Sequence, residues 1–164
     1  MKLLILWTVS LLTLITGFTF PAADPGKEDF KIISFEEFEK MTAQDSEKIR
    51  IFNFWATWCA PCIREMPHFE EVKQKSPDIE LFFISLDDGR KPERVKQFIN
   101  RKQIQAPVYL LNDVDYNKWI DKVSPNWSGA IPATLFILPS GERHFHEGEL
   151  GIEELKTLIE KLKS

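Results

Sequence analysis

The chain has 164 residues, of which 43% are hydrophobic and 28% are charged, with 21 basic and 25 acidic side chains and a net charge of −4. This composition is typical of a globular protein that is long enough to bury its own core in one domain. No basic cluster stands out, which argues against nucleic acid as a partner.

The N-terminal segment differs from the rest of the chain. Between Lys2 and Pro21, residues 3–20 carry no charge and are rich in Leu, Ile, Phe and Thr. Such a stretch at the extreme N-terminus is typical of an export signal, and it is also long enough to span a bilayer as an uncleaved anchor. We therefore expect residues 1–22 to be either a signal peptide or a membrane anchor, with a folded domain over 27–164 outside the cytoplasm.

The spacing of apolar residues then predicts an alternation of strands and helices. Continuous or alternating runs of apolar and aromatic residues indicate strands, and apolar side chains that recur every three to four residues indicate helices. In chain order, the predicted strands are 30–33, 49–56, 79–86, 107–111, 133–138 and 143–147. The first predicted helix follows Ser34, the second covers 59–75 and the third begins at Pro92. The fourth covers 114–123, and the last ends the chain around 155–162. This order predicts an α/β fold with a central, mixed but mostly parallel sheet flanked by helices, and with an antiparallel hairpin at its edge.

The two cysteines of the chain lie in one motif, Trp58-Cys59-Ala60-Pro61-Cys62. A disulfide that closes so short a loop stabilises a fold by only roughly 2 kcal/mol, against roughly 4.7 kcal/mol for a loop of about a hundred residues. The pair is therefore better suited to redox chemistry than to crosslinking. Cys59 is placed where a strand gives way to a helix, and the free N–H groups of the first helical turn favour its thiolate form. Cys62 follows one turn later, where we expect it to be more buried and placed to attack a mixed disulfide at Cys59.

The residues between the cysteines favour a reductant. A strong oxidant needs a heavily stabilised thiolate in its reduced form. Ala60 and Pro61 contribute no charge that would provide this stabilisation.

Metal binding is the alternative use of such a cysteine pair. Zinc sites usually need four ligands, and the three histidines, His68, His144 and His146, lack the spacing that would complete one. We assign no metal ligand, and no cofactor beyond a redox-active disulfide between Cys59 and Cys62. A metallochaperone that binds copper or zinc through these cysteines remains the alternative function.

The run from Asn53 to Cys62, followed by Arg64-Glu65-Met66-Pro67, resembles the active-site strand, loop and helix of thioredoxin-like proteins. In particular, it is similar to the TlpA/ResA-like extracytoplasmic thiol-disulfide oxidoreductases of bacteria. The resemblance covers roughly residues 27–163 and implies a thioredoxin-like fold with an inserted segment around 87–112.

The same resemblance implies an enzyme, a protein disulfide reductase of the bacterial periplasm or of the outer face of the inner membrane. Its implied partners are disulfide-containing exported proteins, with apocytochrome c among them during cytochrome c maturation. A membrane thiol electron donor would reduce the protein again, and residues 3–20 would provide any membrane anchoring.

Further positions gain an implied role from the resemblance. Ile131-Pro132 falls where the family has a cis-proline against the cysteine pair, which would leave the Ile131 backbone free to pair with an extended substrate. Glu65 matches a glutamate that ResA-like proteins keep near their cysteines, and it would move the proton of Cys62; the alternative is a solvated glutamate on the helix surface. Asn53 stands where cytoplasmic thioredoxins have a buried aspartate, which removes their usual proton acceptor.

The predicted substrate surface surrounds the cysteines. It comprises Trp58, Ala60, Pro61, Ile131 and Pro132. Trp127 is expected either to join this surface or to cover the core as a loop aromatic.

Overall fold

The computed structural model describes residues 30–163, which form a six-stranded sheet with helices on both faces. The strands are β1 (Phe30–Ile33), β2 (Ile49–Trp55), β3 (Ile79–Ser85), β4 (Val108–Leu111), β5 (Ala133–Ile137) and β6 (Arg143–Glu147). The helices are α1 (Phe35–Thr42), α2 (Ala60–Lys75), α3 (Pro92–Lys102), α4 (Ile120–Val123) and α5 (Ile152–Lys163). The predicted signal or anchor segment, residues 1–22, lies outside the described residues, as do 27–29 and Ser164 of the predicted domain. No helix within 30–163 is long and apolar enough to cross a bilayer.

The sheet has the strand order β1-β4-β3-β2-β5-β6. The first four of these strands run parallel to one another, and β5 and β6 are antiparallel to their neighbours. The predicted fold class, a mostly parallel sheet with an antiparallel edge hairpin, is therefore confirmed. Residues 87–112, predicted as an inserted segment, contain α3 and β4, and β4 lies in the sheet between β1 and β3.

The central strand β2 is buried on both faces, because helices cover the sheet from both sides. Alternate residues point in opposite directions. Ile51 and Trp55 contact the apolar cluster formed with α2, α3 and α5, whereas Phe52 and Phe54 contact the cluster formed with α1 and α4. Strand β2 runs directly into the cysteine motif, so both layers of the core fix the position of that motif.

Local sequence signals account for two of the helix starts. The Ser34 side chain accepts a hydrogen bond from the backbone N–H of Glu37, and the Glu37 carboxylate accepts one from the N–H of Ser34, which completes a capping box before α1. Pro92 begins α3 as predicted, at a position where no intrahelical N–H donor is required.

The prediction of a single helix over 114–123 is wrong. The segment forms a 3-10 turn, Tyr116–Lys118, and then the one-turn helix α4. Trp119 separates the two with a backbone φ of −132°, outside the helical range. Its buried ring stacks on Phe35 with ring centroids 5.3 Å apart, and this tertiary contact takes precedence over the local helical pattern.

Candidate active site

The cysteine pair lies at the junction between β2 and α2. Cys59 is the N-cap residue of α2, and its Sγ accepts a hydrogen bond from the backbone N–H of Cys62 at 3.3 Å. The two residues form a disulfide. The exposed fraction is 5% for Cys59 and 0% for Cys62, which confirms that Cys62 is the more buried of the two. The helix dipole and the free N–H groups of the first turn stabilise negative charge on the Cys59 sulfur.

Residues around the pair reach the protein surface. Trp58 is 65% exposed, Ala60 is exposed and Pro61 is half-buried. Pro61 lies in the first turn of α2, where its missing N–H leaves no intrahelical hydrogen bond unmade. The part of the predicted substrate surface that the cysteine motif contributes is thus accessible to solvent.

The loop before β5 approaches Cys59 from the other side. The Ile131–Pro132 peptide bond is cis, as the resemblance implied. The carbonyl oxygen of Ile131 lies 3.7 Å from the Sγ of Cys59. Pro132 is buried, and its carbonyl oxygen accepts a hydrogen bond from the N–H of Gly148 at 2.9 Å. The structure therefore brings this loop, distant in sequence, against the redox-active sulfur.

Glu65 is buried on α2, one helical turn after Cys62, rather than solvated on the helix surface. Its Oε1 accepts a hydrogen bond from Nδ2 of Asn53 at 2.7 Å, and its Oε2 accepts one from the backbone N–H of Leu150 at 2.7 Å. Burial raises the pKa of Glu65 to about 7, and the two hydrogen bonds act in the opposite direction because they favour the carboxylate. A group with this pKa can both accept and donate a proton near neutral pH.

Asn53 connects Glu65 to the sheet. Its Nδ2 also donates to Oγ1 of Thr134 on β5, at 3.0 Å. Its Oδ1 is buried and finds no hydrogen-bond partner among residues 30–163. The Asn53 amide therefore donates to both Glu65 and Thr134. A donor is what an ionised carboxylate such as that of Glu65 requires, because the ionised group can only accept hydrogen bonds.

Asp87 also belongs to the site, although no motif in the sequence singles it out. Its carboxylate accepts hydrogen bonds from the Thr57 backbone N–H at 2.9 Å, the Thr57 hydroxyl at 2.6 Å and the Ser85 hydroxyl at 2.9 Å. Thr57 lies two residues before Cys59, so Asp87 fixes the loop that carries the nucleophile. The sequence signal that indicates a role for Asp87 is its position just after β3. Because the carboxyl ends of adjacent parallel strands lie side by side, a residue that follows β3 lies close to the loop that follows β2.

Helix α2 also holds the loop before α5, through two side chains for which the sequence predicts no role in the site. The Arg64 guanidinium makes two hydrogen bonds to the Glu149 carboxylate, at 3.0 and 2.6 Å. Nδ1 of His68 lies 3.1 Å from the carbonyl oxygen of Leu150, in position to donate to it. Together with Glu65, these side chains fix residues 149–150 against the helix that begins at the cysteines.

Comparisons with known proteins agree with this geometry. The sequence matches the AhpC/TSA family over residues 17–142, more than half of the chain. The chain belongs to the AhpC/TSA family. Among its curated relatives in sequence is the thiol-disulfide oxidoreductase ResA of Oceanobacillus iheyensis, with 30% identity over 165 aligned positions that cover 89% of this chain and 82% of the relative. This AhpC/TSA-family protein is therefore a thiol-disulfide oxidoreductase with a closely spaced cysteine pair.

Solved structures confirm the thioredoxin-like fold of this AhpC/TSA-family chain. A thioredoxin-related protein from Neisseria meningitidis serogroup B superposes with a TM-score of 0.62 at 22% identity, covering 74% of this chain and 88% of that one. A secreted disulfide oxidoreductase of Mycobacterium tuberculosis, homologous to E. coli DsbE, superposes with a TM-score of 0.55 at 21% identity, covering 71% and 83% of the two chains.

Proposed function

We propose that the protein reduces disulfides of exported proteins outside the cytoplasm, with Cys59 as the attacking sulfur and Cys62 as the resolving one. The observation that carries this proposal is the placement of the pair. Cys59 caps α2, where its thiolate is favoured, and Cys62 is fully buried one turn later. A substrate disulfide can reach Cys59 from the surface formed by Trp58, while Cys62 is protected until a mixed disulfide has formed.

The reaction proceeds by two thiol–disulfide exchanges. The Cys59 thiolate attacks one sulfur of the substrate disulfide, that disulfide breaks, and its second sulfur leaves as a thiolate. Cys62 then loses its proton and attacks the Sγ of Cys59, which releases the first substrate sulfur. Two electrons pass to the substrate, and the protein is left with the Cys59–Cys62 disulfide.

Glu65 is the proposed proton acceptor for Cys62. It lies one helical turn after Cys62 on α2, it is buried, and its pKa of about 7 leaves a substantial fraction as carboxylate at neutral pH. Burial also keeps bulk water from this region, so a positioned carboxylate is the natural base for the step.

The remaining parts of the proposal rest on the sequence. The uncharged stretch 3–20 supports export, and the neutral Ala60 and Pro61 between the cysteines support a reductant. The TlpA/ResA-like resemblance supports apocytochrome c as one substrate and a membrane thiol protein as the electron donor.

Substrate trapping tests the function. With Cys62→Ala in the producing cell, we expect mixed disulfides between Cys59 and exported proteins, visible as adducts that a reducing agent dissolves. Cys59→Ala is the matched control and should form none of these adducts. Equal adduct formation by both variants would contradict the assignment of the nucleophile.

Two further measurements test location and direction. A phosphatase reporter that is active only outside the cytoplasm should be active when fused after residue 29. Alkylation of thiols in intact cells should find Cys59 and Cys62 mostly reduced, and a mostly oxidised pair would contradict the role as a reductant. Purified protein with stoichiometric copper or zinc on its thiols would favour the metallochaperone instead.

A further inference from the structure

Strand β6 lies at one edge of the sheet and pairs only with β5. Just after the strand, the N–H of Gly148 donates to the carbonyl of Pro132 at 2.9 Å, so Gly148 faces β5. Because the hydrogen-bonding groups of an antiparallel pair face each other at every second position, every second residue before Gly148 faces β5 in the same way. The N–H and carbonyl groups of Arg143, Phe145 and Glu147 therefore point away from the sheet, and no other described strand pairs with them.

The charges of this strand are arranged symmetrically. Its five residues are Arg143-His144-Phe145-His146-Glu147, with opposite charges at equal distances from the central ring. Charged side chains usually protect an open strand edge against pairing with another chain. Here, however, the order of the charges makes the strand complementary to itself. In a second copy that runs antiparallel, Glu147 lies opposite Arg143, and Phe145 lies opposite Phe145.

The free backbone groups of β6 fit the same register. With Phe145 opposite Phe145, each residue that points outwards meets another that points outwards, which allows about six N–H-to-carbonyl hydrogen bonds between the copies. A shift of four residues in either direction would place Arg143 opposite Arg143 or Glu147 opposite Glu147, and like charges directly opposite each other are destabilising. The charge pattern and the backbone pattern therefore favour the same pairing.

Arg143 pairs with no carboxylate within the described part of the chain. Its guanidinium donates to the carbonyl of Val123 at 3.4 Å, a long hydrogen bond. Nearby, Arg50 donates to the carbonyls of Met41 and Thr42. Partial desolvation and then the charge of Arg50 lower the pKa of Arg143, because both disfavour its charged form. A carboxylate supplied by a second copy would stabilise that charged form.

Glu147 likewise has no cationic partner among the residues that the structure describes. Its carboxylate accepts hydrogen bonds from the N–H and the hydroxyl of Ser128, at 2.7 and 2.6 Å. These bonds fix the carboxylate at the exposed end of the strand before any partner arrives, which lowers the entropy cost of binding. An ionised carboxylate offers about four acceptor sites, so Glu147 can still bind a guanidinium.

The central ring of the strand would add an apolar contact between the two charge pairs. Side chains at alternate positions share one face of a sheet, so Phe145 lies on the same face as Arg143 and Glu147. The half-buried ring packs against Trp127 with ring centroids 5.5 Å apart, which holds it in place. Two such rings opposite each other would form an apolar centre with charged groups on either side, the usual arrangement of a specific interface.

We propose that two copies of this chain pair antiparallel through β6, with Phe145 at the centre and with Arg143 of each copy bound to Glu147 of the other. A two-fold axis through the centre then repeats each contact, and the two six-stranded sheets join into one sheet. The pairing does not involve the cysteines, because β2, which leads to them, is separated from β6 by β5. This inference goes beyond the proposed function and does not depend on it.

Sedimentation equilibrium of the full-length protein, in detergent of matched density, tests the pairing. One five-residue strand buries less surface than a standard interface, so we expect a weak dimer with a Kd on the order of 10 µM. Arg143→Glu and Glu147→Arg each place like charges opposite one another and should weaken dimerisation at least tenfold. An equimolar mixture of these two variants should dimerise as the parent protein does, because opposite charges meet again in the mixed pair. Mixing could not restore a variant that had lost its fold.

Two further measurements locate the contact. Lys40→Glu is the matched control, since it makes the same change in charge as Arg143→Glu at an exposed position of α1, and it should keep the dimer. In the parent protein, hydrogen exchange at the amides of Arg143, Phe145 and Glu147 should slow as the protein concentration rises, because these N–H groups become hydrogen-bonded between the copies.

Several results would overturn the inference. A parent protein that stays monomeric at concentrations tenfold above this Kd would exclude the dimer. A dimer that survives in both single variants, or that is lost in both and does not return in their mixture, would exclude the pairing of Arg143 with Glu147. An equal loss in Lys40→Glu would assign the effect to net charge. Amides of β6 that become protected only when a substrate peptide is added would assign the open edge to a substrate strand.

Discussion

The side-chain amide of Asn53 donates a hydrogen bond to Oε1 of Glu65 at 2.7 Å, in the interior between β2 and α2. The contact joins the last central strand before the cysteines to the helix that begins at them. Burial alone would drive the carboxyl group strongly towards its neutral form, and the amide donor limits this effect because it stabilises the ionised form. The hydrogen bond from Asn53 therefore helps to keep the pKa of this buried acid near neutral pH.

The first prediction concerns the contribution of Asn53. Asn53→Ala removes a donor that favours the carboxylate, so the pKa of Glu65 should rise above about 7. Carbon-13 NMR titration of the Glu65 carboxyl group measures this directly. Thr134→Val is the control, because it removes the other acceptor of the Asn53 amide and leaves the bond to Glu65 in place. An equal shift in both variants would show that the amide bond to Glu65 does not set its pKa.

The second prediction concerns stability against pH. The pKa of Glu65 is about 7 in the folded protein and has a reference value of 4.5, so between these values the folded state holds a proton that the unfolded state has lost. The contribution of Glu65 to the free energy of unfolding should therefore be most favourable below pH 4.5. This contribution should fall by about 3 kcal/mol as the pH rises through 7.

Glu65→Gln should remove this part of the pH dependence, because it cannot ionise. Its amide can still accept from Leu150, and a rotated Asn53 amide can accept the new N–H through the Oδ1 that lacks a partner among residues 30–163. Urea unfolding of the oxidised protein at pH 5 and pH 8 measures the difference. Glu71→Gln, at a partly exposed position of the same helix, should keep the wild-type pH dependence. An unchanged pH dependence in Glu65→Gln would contradict the raised pKa.

The third prediction concerns the resolving step. If Glu65 accepts the proton of Cys62, then Glu65→Gln should slow resolution of the mixed disulfide at neutral pH by about 10²-fold, the lower end of general base effects. Quenched-flow kinetics with a mixed disulfide at Cys59 measures the rate from pH 6 to pH 8. A rate in the variant equal to that of the parent protein across this range would exclude Glu65 as the base.

The fourth prediction concerns Asp87. Asp87→Ala leaves the N–H and hydroxyl of Thr57 and the hydroxyl of Ser85 without their acceptor, so the free energy of unfolding should fall by about 3 kcal/mol. The Thr57 amide should also exchange its proton faster in the folded protein. Asp88→Ala is the matched control, because the neighbouring Asp88 binds Arg90 at an exposed site and its loss should change stability little. Similar losses in both variants would mean that the loop is not held by Asp87.

The fifth prediction concerns the two thiols. In the reduced protein Cys59 should react with iodoacetamide well before Cys62, because Cys59 retains some exposure and lies at the helix start whereas Cys62 is fully buried. Mass spectrometry of peptides after short exposure identifies the labelled sulfur. Faster labelling of Cys62 would reverse the assigned roles.

Much of the architecture could be predicted from the sequence, because each element carries its own periodic signal. The apolar run before Cys59 predicts a buried central strand, and Ser34 and Pro92 mark helix starts that the structure confirms. The cysteine motif, through its spacing and its position after that strand, predicted the redox site. These are local properties, which neighbouring residues determine largely among themselves.

Only the tertiary structure decided which distant groups meet at the site. Asp87 is one acid among many in the sequence, and it acts on Thr57 because β3 ends beside β2. Glu65 matched a family position, yet its burial depends on packing of α2 against both Asn53 and the Leu150 loop. The segment around Trp119 departs from its helical pattern because burying the indole against Phe35 stabilises the fold more than one continuous short helix does. Local patterns determine the elements, whereas burial, desolvation and hydrogen bonding between distant residues depend on how those elements pack.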